Sequence, residues 1–129
     1  MPKFKLNKLV RNKLREQYES DGQKAIYKKL SLSEHKLALK NKIIEEVSEI
    51  KLDDQLPNII SEIADVQQAI DDLKGLYNIN SEQIDSVKKS KLDKKGGFAG
   101  GVFVETLELN DDDEWIDYYR KQPDIFPEI

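Results

Sequence analysis

The sequence has no cysteine and only one histidine, His35. The first absence excludes a disulfide framework and is compatible with the cytosol. Both together argue against a thiolate or imidazole zinc site. No apolar run approaches the roughly 18 residues of a membrane span, and the basic start lacks a signal-peptide apolar region. A cytoplasmic protein with no membrane partner is expected. Basic excess is missing too: the net charge is −4 and the pI near 5.1, which argues against a nucleic-acid binder. Hydrophobic residues make up only 38% of the chain and charged ones 36%, which suits thin helices with wide solvated faces, completed by an oligomer interface. At 129 residues one domain is expected, a helical core over about 9–95 followed by a strand and tail over about 96–129.

What is present is a pair of acidic helical patterns between Lys42 and Asp72, separated by Asp53-Asp54-Gln55-Leu56-Pro57. The first carries Glu45, Glu46 and Glu49, the second Glu62 and Asp65. Spacings of three place these acids as neighbours on a helix surface. On a wheel with Ile59 at zero, Glu62 falls at about 300°, between Leu73 at about 320° and Ala69 at about 280°. It lies inside the apolar arc, with Asp65 at its edge. On the preceding helix Glu46 borders the stripe of Leu39, Ile43, Val47 and Ile50, with Glu49 one step further out. A carboxylate in a core stripe costs several kcal/mol unless it is paired or protonated, and converging carboxylates repel. A divalent cation removes both problems, and hard oxygen ligands suit Mg²⁺ or Mn²⁺. The bland alternative is a solvated bundle edge, or a lysine paired with Glu62.

Glu45-Glu46-Val47-Ser48-Glu49, twelve intervening residues, then Glu62-Ile63-Ala64-Asp65 resembles the EExxE…ExxD signature of the MazG-like nucleotide pyrophosphohydrolases. Lys8-Leu9-Val10-Arg11-Asn12-Lys13 and Lys95-Gly96-Gly97-Phe98 are similar to segments of its phosphoribosyl-ATP pyrophosphohydrolase-like branch, with Asn12 where that branch usually has Asp. The resemblance implies an all-α fold and Mg²⁺-dependent cleavage of the α–β bond of a nucleoside triphosphate, giving a monophosphate and pyrophosphate. It implies that Glu46, Glu49, Glu62 and Asp65 hold the metal and that Glu45 orients or deprotonates the attacking water. Lys8 and Arg11 then contact phosphate rather than merely solubilising a helix; the same is not expected of Lys13.

In chain order, residues 3–6 alternate polar and apolar as a short strand does, and Leu9 to Tyr18 reads as a helix ended by Gly22. Ser31 and Glu34 form a capping-box pattern for a helix running to about Leu52. Leu56-Pro57-Asn58 opens the next, expected to reach about Leu73 and to lie antiparallel to its predecessor. Ser81 is the expected N-cap of a further helix. Its Lys91 and Lys94 share a face and either complement the macrodipole or reach substrate phosphates. The glycines at 96, 97, 100 and 101 lack P-loop spacing. Val102 to Leu109 reads as a strand with residues 3–6 as its partner, in the same subunit or another. Asn110 to Asp113 caps a short aromatic helix, and a two-proline tail follows.

The expectation is a mainly α, antiparallel helical bundle of the all-α NTP pyrophosphohydrolase type with a small two-stranded β accessory. It would act on a small-molecule nucleotide with Mg²⁺ or Mn²⁺, as a homodimer or homotetramer. The rivals are a non-catalytic metal- and nucleotide-binding regulator and a structural helical oligomerisation module.

Overall fold

A computed structural model describes residues 1–129, and the chain is mainly helical, with no strand. It divides into two compact units, Met1–Ser90 and Lys91–Ile129. In the first, Ser31 accepts a hydrogen bond from the Glu34 amide at 3.3 Å, while its own amide donates to Glu34 Oε1 at 3.1 Å. That closed capping box opens helix α2 (Leu32–Ser48). Helix α3 (Leu56–Leu76) has Pro57 in its first turn, where a missing N–H costs nothing. Asp54 braces this start, accepting from the Gln55 amide at 2.8 Å and Asn58 Nδ2 at 2.9 Å.

α2 and α3 pack on each other. The α3 face in that seam is Ile59, Glu62, Val66, Ala69, Leu73 and Leu76, all buried or half-buried, at the alternating three–four spacing of helix pairs. Leu39 is 3% exposed and Ala69 6% exposed, and they are the only buried apolar residues. Beside the seam lie Leu56, Ile63, Ile70 and Tyr77, seven residues apart, together with Ile60, and all are exposed.

Several boundaries differ from expectation. The first helix, α1, spans Leu14–Ser20 rather than Leu9–Tyr18, because residues 8–11 are drawn into ion pairs with α2 and α3. Gly22, at φ 72°, ends it: the amides of Gly22 and Gln23 turn back to Glu19 and Tyr18 carbonyls, as in a Schellman motif. α2 stops at Ser48 instead of Leu52, making Glu49 its C-cap. α3 continues to Leu76, where Asn78, at φ 56°, supplies the left-handed residue and Ile79 N bonds Lys74 O at 3.0 Å. Asn80, not Ser81, caps helix α4 (Ser81–Lys95): its side chain accepts from Gln83 N, and its amide donates to Gln83 Oε1, both at 2.9 Å.

The two-stranded β accessory does not form. Residues 3–6 and 102–109 carry no secondary structure, and Phe4, Val102 and Phe103 are exposed. β-branched and aromatic residues favour a pleated surface, but a strand needs a ladder partner to exist. In the second unit, helix α5 (Ile116–Arg120) starts where Asp113 Oδ1 accepts from the Trp115 amide at 2.8 Å. The tail packs on this helix: Phe126 meets Tyr119 edge-on at 5.0 Å, and Glu128 takes Arg120 at 2.8 and 3.2 Å.

Candidate metal centre

Five carboxylates converge where α2 ends and α3 begins. They form two overlapping groups, Glu45–Glu46–Glu49 and Glu46–Glu62–Asp65, each with oxygens within 4.8 Å of one another. Glu46 belongs to both. It is the one buried charged residue of the chain, at 9% exposure. The short turn after Glu49 brings the end of one helix beside the start of the next. That is how acids more than a dozen residues apart meet.

The local electrostatics are adverse without a cation. Glu45 and Glu46 sit in the last turn of α2 and Glu49 at its C-cap, the negative end of the helix dipole, and no basic residue occupies that turn. The charge of Glu46 raises the Glu49 carboxyl above its ordinary range, with desolvation and the charge of Glu62 adding to it. Glu62 Oε2 is buried with no hydrogen-bond partner. Such an atom bears an unrelieved desolvation cost of about 1–3 kcal/mol, more when charged. An all-carboxylate oxygen set with an orphaned inner atom fits a hard divalent ion such as Mg²⁺ or Mn²⁺.

Three cations already touch the cluster. Lys8 Nζ lies 2.8 Å from Glu45 Oε1, and Arg11 Nη2 lies 2.6 Å from Asp65 Oδ1. Lys42 approaches Glu45 at 3.4 Å and Glu46 at 3.2 Å. The hydrogen bond from Lys8 holds the Glu45 carboxyl below its usual range. The four expected metal ligands and Glu45 are thus brought together, and Lys8 and Arg11 are brought to them. Lys91 and Lys94 belong to the second unit, where they are exposed and form no ion pair. Lys42 escaped the sequence reading, although its spacing of three and four from Glu45 and Glu46 on one helix signals it.

A groove of about 150 Å³ lies between residues 7–9 and α2, with Lys8, Lys42 and Glu45 in its wall. A larger one, about 280 Å³, lies in the second unit between Leu107–Leu109 and Trp115. Its carboxylates are Glu108 and Asp113, and Asp113 already caps α5. Of the two, only the smaller groove is lined by a member of the acid cluster, Glu45. No known protein family, characterised protein or solved structure matches the chain.

Proposed function

We propose that the α2–α3 hairpin holds Mg²⁺, with Mn²⁺ as a substitute, and hydrolyses a nucleoside triphosphate between its α and β phosphates to a monophosphate and pyrophosphate. The observation that carries the metal is the buried, unpartnered Glu62 Oε2 amid four other carboxylates. The reaction rests on the resemblance of the EExxE…ExxD string to MazG-like pyrophosphohydrolases. Glu46, Glu49, Glu62 and Asp65 would hold the ion, whose chemistry is to neutralise phosphate oxygens and acidify water. Glu45, once free of Lys8, accepts a hydrogen bond from the attacking water and orients it. Lys8 and Arg11 neutralise charge on the leaving pyrophosphate. Pyrophosphate release under multiple turnover, scored over a nucleotide panel, tests this reading.

One observation favours the rival regulator: Glu45 is tied to Lys8 and its carboxyl is lowered, which weakens it as a base. Tight metal-dependent nucleotide binding without turnover would support that rival. We further propose a homodimer or homotetramer, since the exposed Leu56, Ile63, Ile70 and Tyr77 recur every seven residues, as one position of a helix-pair seam does. No helix is long and apolar enough to cross a membrane, and a cytoplasmic setting accords with the lack of cysteine.

A further inference from the structure

Residues 7–12 lie against the acid cluster without helix or strand to hold them there. Besides the half-buried Leu9 and Val10, their anchors are the two ion pairs, and each lands on a different acid group: Lys8 on Glu45, Arg11 on Asp65. With Lys42, three cations face five carboxylates, leaving two net negative charges. One divalent ion balances that remainder. A second ion, or one arriving on a polyphosphate, meets carboxylates already neutralised.

We propose that residues 7–12 form a cationic strap that competes with divalent metal for the acids and passes to substrate phosphate when metal binds. The inference rests on the metal-site reading above. The Asp65 oxygen is the atom at stake on both sides, and the Lys8 charge beside Glu45 repels an incoming ion, so metal and strap oppose each other. The Lys8 and Arg11 side chains are 50% and 60% exposed, free on their outer side to swing away. The segment is bounded by Asn7 in the left-handed region, at φ 46°, and by the turn from Arg11 O to Leu14 N. Beneath it the groove of about 150 Å³ accommodates a phosphate group. Pockets that hold small-molecule ligands run to roughly 300–1,000 Å³, so the strap must lift for a nucleotide to enter. Phosphate oxygens then replace carboxylate oxygens as acceptors, a geometry the Arg11 guanidinium matches equally well.

Reciprocity gives the test its sign. If metal expels the strap, the strap weakens metal by the same factor. Mn²⁺ alone is the probe, titrated against the full chain by electron paramagnetic resonance. The Lys8→Gln/Arg11→Gln double variant should bind Mn²⁺ at least about fivefold more tightly than wild type. With Mn²⁺ present, it should bind a non-hydrolysable triphosphate at least about fivefold more weakly. Lys13→Gln, next to the strap but in no ion pair, should change neither. In wild type, Mn²⁺ should speed tryptic cleavage after Lys8 and Arg11, a readout independent of how the variants fold. Unchanged or weaker Mn²⁺ binding by the double variant, or slower cleavage of the strap, overturns the strap alone. No Mn²⁺ binding by either protein overturns the metal reading, and the strap with it.

Discussion

Arg11 and Asp65 stand 54 positions apart and meet at 2.6 Å. This contact ties the amino-terminal segment to α3, as Lys8 and Glu45 tie it to α2. A helix through Leu9–Lys13 would carry these cations elsewhere, and tertiary charge pairing overrides the local helical pattern. The acid cluster therefore organises the chain before it as well as the two helices that bear it.

Divalent metal should stabilise the fold. An ion that binds only the native state at 100 times its Kd adds about 2.7 kcal/mol, several degrees of melting temperature for a unit this size. Millimolar Mg²⁺ or Mn²⁺ should give that shift by calorimetry, and Glu62→Gln should abolish it. A wild-type melting temperature indifferent to both ions would remove the metal site.

The metal-free protein should gain stability on mild acidification through Glu49. The folded carboxyl is raised above the unfolded value, so the native state binds the proton more tightly. That stabilisation is complete below the unfolded value and disappears as pH rises through the folded one. Glu49→Gln should flatten this part of the pH profile and raise metal-free stability near neutrality, while weakening the metal-induced shift. Chelator-treated protein unfolded by urea across pH measures both.

At α2 the acid dependence has the opposite sign. The Lys28 hydrogen bond, reinforced by the Ser31 cap, lowers the Glu34 carboxyl to about 2 from an ordinary 4.5. Its stabilisation is present above pH 4.5 and is lost as pH falls towards 2. Ser31→Ala should cost about 1 kcal/mol at pH 7, as N-cap losses do. Glu34→Gln should remove that segment of the acid limb, read by circular dichroism.

The capping box, the Pro57 start and the Gly22 stop were legible because each depends on residues within one turn. Glu62 in the apolar arc was legible because helical period places it there whatever it packs against. The strap was not, since its pairing spans dozens of residues and no local pattern marks it. Strand propensity in VFVETLEL and the alternation of residues 3–6 misled for the same reason: pairing is a property of two segments together, and neither pattern alone specifies it.

Assembly should follow the exposed heptad stripe. Ile60 and Ile70 are 58% and 41% exposed, at positions that face a partner helix in paired bundles. Sedimentation at micromolar concentration should show a dimer or tetramer. Ile60→Lys/Ile70→Lys should shift it towards monomer with α-helix content retained. A wild-type protein that sediments only as monomer would refute the assembly.

The reaction itself should yield pyrophosphate and a nucleoside monophosphate in equal amounts, with no orthophosphate as primary product. Glu49→Ala or Asp65→Ala should remove turnover together with metal binding, since both acids belong to the convergent set. Glu45→Gln should lower kcat by about 10²-fold or more while metal affinity changes little, if its carboxylate orients water. Phosphorus NMR on canonical and modified triphosphates with Mg²⁺ identifies the bond that breaks. Orthophosphate with a diphosphate would overturn the assigned cleavage site, because the cations proposed for the leaving group would then be serving another one.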